Sequence, residues 1–198
     1  MATNKYNTNP EESENEILPN RLGLKTLKEI EQAELEGFLL AYKTLFDELS
    51  HNTFFNTEYL QRMHQLALGH LYNFAGKWRT VNISKGGFMF PPAKFLSQTM
   101  NDFEKEMLLN IPAYYNSDDE LVSWVAKVHA ELLFIHPFRE GNGRTARLLA
   151  NLMCAKAGHK LLDLENFSKQ KFEDYINAVK AAANKNYAPM EAIIRSLF

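Results

Sequence analysis

The sequence predicts an all-α fold, a bundle of helices that carries one small β-hairpin. Through most of the chain, apolar residues recur at intervals of three and four, which is the period of an amphipathic helix. Alternation typical of a strand is confined to a short stretch near residue 85, bounded by glycine and proline. The sequence has no internal repeat, so we expect a single folded domain.

Seven segments carry the helical period. In the fourth, apolar residues stand at positions 124, 128, 132 and 135, and Pro137 discourages continuation of the helix beyond His136. In the fifth, apolar residues recur from Leu148 to Met153 at the same spacing. The predicted helices cover residues 25–50, 57–74, 93–110, 118–135, 143–157, 168–184 and 189–197.

The hairpin is predicted between the second and third helices. β-Branched residues between positions 80 and 83 suit a strand, and phenylalanines alternate at 88 and 90 on a return strand. Gly86 and Gly87 suit the tight turn, and prolines at 91 and 92 end the ribbon. An exposed ribbon edge can pair with an extended segment of another protein.

Composition bounds the compartment and the partners. Residues 1–16 are polar, so we expect a flexible tail there and the folded domain at residues 17–198. A net charge of -2 over 198 residues argues against direct nucleic-acid binding.

The start lacks a signal pattern and no apolar run reaches about 20 residues, so we expect no membrane segment. The single cysteine, Cys154, excludes an intrachain disulfide and favours a reducing, cytoplasmic location.

The most informative stretch is HPFREGNGRTAR, residues 136 to 147. Gly141 and Gly143 permit the positive φ and close backbone approach that let amides converge on phosphate oxygens. A helix starting near Asn142 adds its N–H groups and its dipole, which also favour an anion. Arg144 and Arg147 are three residues apart and share a face, so a polyphosphate would compensate both charges. The stretch predicts a phosphate-binding helix start.

Two further side chains of this stretch suit catalysis. A histidine ordinarily titrates near neutral pH, and His136 lies at the end of the fourth predicted helix, which would aim its ring at the phosphates. Glu140 could hold a hard divalent cation that bridges such phosphates. The plainer interpretation is a surface loop that caps a helix, and the number of residues specified at fixed spacing argues against it.

The stretch matches HPFx[DE]GNGRxxR at every specified position and so resembles the active-site motif of the Fic family of protein adenylyltransferases. The resemblance extends to LPNRLGLKTLKEIEQAE near residue 18 and to YAPMEAIIRSL near the end. It implies a Fic-type helical bundle that binds Mg-ATP and transfers AMP to a Ser, Thr or Tyr hydroxyl of a target protein. Gly143 favours AMP transfer over phosphoryl transfer, because the related Doc-type kinases have a lysine near this place.

The same resemblance implies a role for each motif residue. His136 would be the catalytic base that deprotonates the target hydroxyl, Phe138 would pack in the core, and Glu140 would ligate magnesium. The remaining motif residues would bind ATP. Gly141, Asn142 and Gly143 would form an anion hole, and Arg144 and Arg147 would hold the β- and γ-phosphates.

Residues 71–93 resemble the family's segment leading into a target-docking hairpin, called the flap, beside the active site. The flap edge would hold the target's hydroxyl-bearing loop, and Lys85 would reach ATP from the flap. The alternative is a surface hairpin without a partner, because turn chemistry predicts hairpins without predicting ligands. Tyr175 and Asn177 are candidates for the adenine pocket, although helix packing explains Tyr175 as well.

Regulation is ambiguous in the sequence. Many Fic proteins are held inactive by a helix with the motif [ST]xxxE[GN], whose glutamate pairs with the second motif arginine, here Arg147. QAELEG, residues 32–37, has the Glu36-Gly37 pair but glutamine in place of Ser or Thr. Glu36 is a candidate regulatory residue, and its alternative is a place on the charged face of the first helix. If Glu36 does not inhibit, we expect an antitoxin-like protein that supplies the glutamate in trans, as in a toxin-antitoxin pair.

The leading hypothesis is therefore Mg-ATP-dependent AMP transfer to a cytoplasmic protein, with release of pyrophosphate. Removal of AMP, or transfer of another phosphate-containing group, needs nearly the same pocket. A catalytically idle nucleotide-binding module would lack the base or the metal ligand, and the sequence has both. His129 lies seven residues before His136 without an HExxH motif, which indicates a core histidine rather than a metal ligand.

Overall fold

The computed structural model describes residues 17–85 and 88–198. Within these residues the chain forms eight α-helices and one two-stranded antiparallel sheet, which confirms the predicted helical bundle with a small hairpin. The predicted tail, residues 1–16, and the turn glycines at 86 and 87 lie outside the described residues. No described helix combines the length and the hydropathy needed to cross a membrane.

Four of the eight described α-helices start at a side-chain cap. At Thr26, Asn56, Ser117 and Asp163, the side chain accepts a hydrogen bond from a backbone N–H of the first turn, which satisfies a group that the helix leaves unpaired. The helices are α1 Leu27–Asp47, α2 Thr57–Leu68, α3 Leu96–Glu106, α4 Asp118–Ile135, α5 Asn142–Lys156, α6 Leu164–Gln170, α7 Phe172–Ala181 and α8 Ala188–Leu197.

Two predicted boundaries were wrong. The second predicted helix, 57–74, ends at Leu68, where Gly69 is the C-terminal cap. The predicted helix 168–184 is two helices, because α6 starts earlier at the Asp163 cap and Lys171, at φ -124° and ψ 54°, separates it from α7. The helical period continues across such a break, so spacing alone did not reveal it.

The core surrounds α4, which contacts α3, α5, α7 and α8. Residues on all sides of α4 are buried, which explains its nearly continuous apolar sequence. On the other side of the bundle, α1 and α2 pack against each other and both contact α5. Their crossing is close at Gly37, where an added Cβ would lie 1.9 Å from the Ala67 carbonyl oxygen. The start of α5 therefore lies between the α1–α2 pair and the end of α4.

The hairpin is shorter than predicted. Strand β1, Ser84–Lys85, pairs with β2, Phe88–Met89, in the register Ser84↔Met89 and Lys85↔Phe88. The predicted first strand at 80–83 is mostly unpaired, although the Phe90 N–H also donates to the Ile83 carbonyl at 3.1 Å. Residues 81–83 and 91–93, on the two sides of the hairpin, form the neck of the flap.

Candidate active site

The loop between α4 and α5 forms the site. His136 ends α4 in the left-handed region, at φ 53° and ψ 59°, and Gly141 precedes α5 at φ 74°. The Asn142 side chain braces the loop, because its Oδ1 accepts from the Phe138 N–H and its Nδ2 donates to the Phe138 carbonyl, each at 2.8 Å. Phe138 is fully buried, as the resemblance implied. The loop conformation is thus fixed from inside.

The start of α5 presents backbone amides rather than the Asn142 side chain. The first hydrogen bond of the helix runs from the Thr145 N–H to the Gly141 carbonyl, at 2.9 Å. The amides of Asn142 and Gly143 precede it and have no carbonyl of their own helix to bond. Together with the helix dipole they favour a bound anion.

His136 is a neutral histidine with a fixed tautomer. Its Nδ1 lies 3.0 Å from the Leu133 carbonyl oxygen. Because a carbonyl only accepts, Nδ1 carries the proton and Nε2 keeps the lone pair. Burial lowers the pKa of His136 to about 3. The hydrogen bond to the Leu133 carbonyl acts to raise this pKa, and the charges of Lys85 and Arg79 lower it further. Near pH 7 the ring is a proton acceptor.

The flap covers the His136 ring. Only 6% of His136 is exposed, and the Phe90 ring stacks on the imidazole with centroids 3.9 Å apart. Lys85 of β1 is close enough for its charge to influence the imidazole. The predicted base and the predicted flap lysine are therefore neighbours.

Arg144 is held by two carboxylates. Its Nη2 lies 2.7 Å from Glu34 Oε2 and 3.3 Å from Glu140 Oε1. The Tyr72 hydroxyl donates to the other Glu34 oxygen at 2.9 Å, and the Arg144 guanidinium lies 4.7 Å from the centre of the Phe38 ring. Charge-assisted hydrogen bonds of this kind fix the guanidinium in one place.

The sequence reasoning missed Glu34 and considered Glu36 instead. Glu34 is buried, whereas Glu36 is exposed on α1 and accepts from Gln32 Nε2 at 2.7 Å. Helical phase could have found Glu34, because it follows Ile30 by four residues and precedes Phe38 by four, on the buried face of α1. The regulatory role of Glu36 stays a prediction.

Arg147 has a different environment. An added Cβ at Gly143 would lie 3.2 Å from Arg147 Nη1, so the guanidinium lies across the start of α5. The Arg147 guanidinium also lies near the Tyr175 hydroxyl. Burial raises the pKa of this hydroxyl to about 12, and the positive charge of Arg147 acts to lower that pKa. The Tyr175 hydroxyl is 2.6 Å from Nε2 of the buried His129, whose Nδ1 is 3.1 Å from the Ala146 carbonyl oxygen.

These contacts assign His129 a structural role. The Ala146 carbonyl only accepts, so Nδ1 carries the proton and Nε2 accepts from the Tyr175 hydroxyl. Burial lowers the pKa of His129 to about 4, so the ring is neutral at pH 7. Tyr175, a candidate for the adenine pocket, is thereby bonded within the core.

His64 supports the motif loop from α2. The Gly76 N–H donates to His64 Nδ1 at 2.9 Å, so Nε2 carries the proton and donates to the Glu140 carbonyl, also at 2.9 Å. The imidazole stacks on the Phe138 ring, with centroids 3.9 Å apart. Burial lowers the pKa of His64 to about 4. Nothing in the local pattern of α2 pointed to this contact, which spans 76 residues.

Arg79 was also missed, and it joins the motif to the flap. It is 4% exposed, and its guanidinium donates to the carbonyls of His136 at 2.7 Å, Val81 at 2.9 Å and Pro91 at 2.6 Å. A longer bond reaches the Ile135 carbonyl at 3.3 Å. These partners lie at the end of α4 and at both sides of the flap neck.

Glu140 is the motif's own carboxylate, and 8% of it is exposed. Its Oε1 accepts from the Gly141 N–H at 2.9 Å and lies near Arg144. The described residues contain no cluster of three or more His, Cys, Asp or Glu side chains arranged to hold a metal ion. A lone carboxylate fits magnesium, which commonly takes one or two protein carboxylates and completes its shell with water and substrate phosphates.

The fold and the site define a helical protein in which a helix start that favours an anion lies beside a buried neutral histidine. The family model of the Fic/DOC family matches residues 54–154, which include the flap and the whole motif, and the chain belongs to this family.

Relatives and solved structures agree with this assignment. "Protein adenylyltransferase Fic" of Aedes aegypti is 30% identical over 166 residues, and that of Drosophila willistoni is 30% identical over 179 residues. The alignments cover 81% and 90% of this chain but 32% and 34% of those proteins, so the chain spans about a third of their length.

The fold is similar to two Bartonella effector proteins. The N-terminal FIC domain of Bep8 from Bartonella sp. 1-1C has a TM-score of 0.76 at 19% identity, with 96% of this chain and 92% of that chain covered. BepC from Bartonella tribocorum, solved with bound AMPPNP, has a TM-score of 0.70 at 20% identity, with 92% of each chain covered.

Proposed function

We propose that this chain is a protein adenylyltransferase, which transfers AMP from Mg-ATP to a Ser, Thr or Tyr hydroxyl of a target protein. The observation that supports it most is the position of a neutral imidazole, His136, beside a helix start with two arginines. The names of the curated relatives and the AMPPNP bound by BepC support the same reaction.

His136 is the proposed general base. Its Nε2 accepts the proton of the target hydroxyl while the hydroxyl oxygen attacks the α-phosphorus of ATP. The bond from the α-phosphorus to the bridging oxygen breaks, and pyrophosphate leaves with the electron pair. The Leu133 carbonyl holds the Nδ1 proton and orients the ring for this transfer.

The start of α5 is the proposed triphosphate site. The amides of Asn142 and Gly143 and the side chains of Arg144 and Arg147 would bind the β- and γ-phosphates, and Gly141 lets the chain turn into the helix. Fixing the terminal phosphates orients the leaving group away from the incoming hydroxyl. Arg147 is the stronger candidate ligand, because Arg144 already has two carboxylate partners.

Glu140 would hold the magnesium ion that accompanies ATP. The ion supplies charge neutralisation of the phosphates when it is bound. Arg144 Nη2, at 3.3 Å from Glu140 Oε1, holds that carboxylate close to the helix start.

The flap is the proposed docking site of the target. Its edge would pair with an extended segment that carries the modified hydroxyl, and Lys85 would contact ATP from β1. A reducing cytoplasmic compartment fits the single cysteine, Cys154, which is buried.

The test is incubation of the chain with α-labelled ATP and a lysate, followed by mass spectrometry of the labelled peptide. In His136→Ala, label transfer should fall by about a hundredfold to ten-thousandfold, as expected for loss of a general base, while ATP affinity stays within about twofold. The control is His51→Ala at an exposed histidine, which should transfer label normally. Equal labelling by wild type and His136→Ala would contradict the base, and a phosphate adduct would contradict AMP transfer.

For regulation, we propose a separate antitoxin-like protein that inhibits in trans, because Glu36 bonds to Gln32 on the exposed side of α1. Auto-AMPylation by wild type and by Glu36→Gly tests this, and both should proceed at the same rate. A large activation by the substitution would instead assign inhibition to Glu36.

A further inference from the structure

Arg79 makes more contacts than a helix cap requires. An arginine at the end of α4 would be stabilised by the Ile135 and His136 carbonyls alone, since cations are favoured at helix C-termini. Two of its four side-chain hydrogen bonds go elsewhere, to Val81 at the entry of the flap and to Pro91 at its exit. The backbone N–H of Arg79 adds a fifth bond, to the Pro137 carbonyl at 2.8 Å.

The charge of Arg79 is buried among carbonyl oxygens. Burial lowers the pKa of its guanidinium to about 10, which still leaves it charged at neutral pH. A buried charge is costly unless its donors are bonded, so the four carbonyls are held firmly in place. Moving the flap neck away from α4 would leave guanidinium donors unpaired in the core.

A second hydrogen bond also joins the two sides of the flap neck. The Asn82 side chain accepts from the Ala93 N–H at 2.9 Å. Between the neck and the β1–β2 ribbon lies Phe90, which stacks on the His136 ring. The residue that follows Phe90 is Pro91, whose carbonyl Arg79 binds.

We propose that Arg79 is a positioning residue that fixes the His136 backbone and the flap neck to each other, so that the flap and the base keep one relative geometry. The proposal rests on the proposed function for its effect on AMP transfer. The Arg79 contacts lie at the flap and α4 rather than at the start of α5, so the residue affects the transfer step and target docking, and it affects ATP binding only through the Lys85 contact from the flap.

The test compares Arg79→Lys with Arg21→Lys. Lysine keeps the charge but lacks the planar fork that reaches several carbonyls at once. Arg21 is the matched control, since its Nη1 also donates to a backbone carbonyl, that of Gly69 at 2.9 Å, outside the flap neck. Three quantities are measured on the full chain: the Kd for Mg-ATP, the AMP transfer rate at saturating ATP, and amide hydrogen exchange over residues 81–92.

Arg79→Lys should lower the transfer rate by about ten- to hundredfold, as loss of several charged hydrogen bonds predicts, and should accelerate exchange in the flap neck. Its Kd for ATP should stay within about twofold of wild type, and Arg21→Lys should change none of the three. An unchanged exchange rate in the flap neck, or a loss of ATP affinity that parallels the loss of rate, would overturn the proposal.

Asn82→Ala provides a second variant in case Arg79→Lys does not fold. It releases the other neck contact without touching α4, and it should accelerate flap exchange and slow transfer. Faster exchange with an unchanged transfer rate would overturn the claim that the neck position matters. If the wild-type chain binds ATP but transfers nothing, the proposed function fails, and the exchange data still decide the role of Arg79.

Discussion

Two carboxylates already neutralise the positive charge of Arg144, which would otherwise attract a triphosphate. Glu34 is the closer of the two, and it is buried with the Tyr72 hydroxyl as its second partner. Arg147 lies beside the uncharged Tyr175 and His129 pair, and the Glu165 carboxylate is near enough to sense its charge but forms no ion pair with it. The two motif arginines therefore contribute differently to anion binding, although the motif presents them as equivalent.

Glu34→Gln should tighten ATP binding. The amide keeps the shape and a hydrogen bond to Tyr72 or Arg144, but it removes a negative charge near the phosphate site. The gain is on the order of 1 kcal/mol at the intermediate effective dielectric of such a site, or about fivefold in Kd. Isothermal titration with Mg-ATP measures it.

Glu36→Gln is the matched control for this substitution, since Glu36 lies two residues further on the exposed side of α1. We expect its Kd to equal that of wild type. Weaker binding in Glu34→Gln would mean that Glu34 orients Arg144 for the phosphate rather than competing with it.

Residues whose partners are local were predictable, and those with distant partners were not. The loop at Gly141 and the helix start at Asn142 follow from twelve contiguous positions, because their parts are adjacent in sequence. Glu34 reaches Arg144 across 110 residues, and Arg79 reaches His136 across 57. Contacts of this length depend on how the helices pack, which a single sequence does not specify.

The close crossing of α1 and α2 depends on Gly37, which the sequence pattern indicated only as part of a regulatory motif. Gly37 allows the helices to approach until an added Cβ would lie 1.9 Å from the Ala67 carbonyl oxygen and 2.5 Å from His70 Cε1. Helix packing therefore explains why position 37 is a glycine.

Gly37→Ala should destabilise the fold. Helix propensity alone would favour alanine by about 1 kcal/mol. The clash with backbone opposes it, because overpacking costs about 1–3 kcal/mol or more where the neighbour cannot move. Because the backbone oxygen would lie only 1.9 Å away, we take the upper end of this cost and expect a net loss of about 2 kcal/mol in the free energy of unfolding, measured by urea denaturation.

The neighbouring substitution Glu36→Ala controls for general effects on α1, and it should change the free energy of unfolding by less than about 0.5 kcal/mol. A Gly37→Ala protein as stable as wild type would show that α1 and α2 can separate without cost.

At the level of elements, the predicted helix starts were more accurate than the predicted helix ends. Ser117 and Asn56 precede helices that start where the sequence predicted. The break at Lys171 and the short ribbon at Ser84 escaped prediction, because the helical spacing continues across the first and the strand-like pattern extends beyond the second. The flap was predicted as a hairpin, but its neck depends on Arg79, a contact outside the strands.

Three buried neutral histidines make the whole molecule sensitive to acid. Burial lowers the pKa of His64 and His129 to about 4 and that of His136 to about 3. Each is bonded as a neutral ring, so protonation favours the unfolded chain, in which the pKa is about 6.5. The unfolded state binds more protons between these values, and stability therefore falls as the pH decreases through this range.

The free energy of unfolding should be nearly constant above pH 7 and should decrease below pH 6.5. Each histidine contributes a slope of about 1.4 kcal/mol per pH unit, and three together are large compared with a total stability of about 5–15 kcal/mol. Urea denaturation at a series of pH values measures the slope.

Substitution of one histidine separates this effect from general acid denaturation. His64→Gln should reduce the slope by about a third, while His51→Gln, at an exposed position, should leave it unchanged. Constant stability between pH 7 and pH 5 would contradict the neutral, bonded state of these rings.

The whole account depends on a triphosphate bound at the start of α5 beside His136. The most direct measurement is a crystal structure of the chain with magnesium and a non-hydrolysable ATP analogue. We predict the β- and γ-phosphates at the amides of Asn142 and Gly143, with Arg147 bound to them and the α-phosphorus facing His136. A triphosphate bound elsewhere, or an α-phosphorus out of reach of the imidazole, would contradict the account.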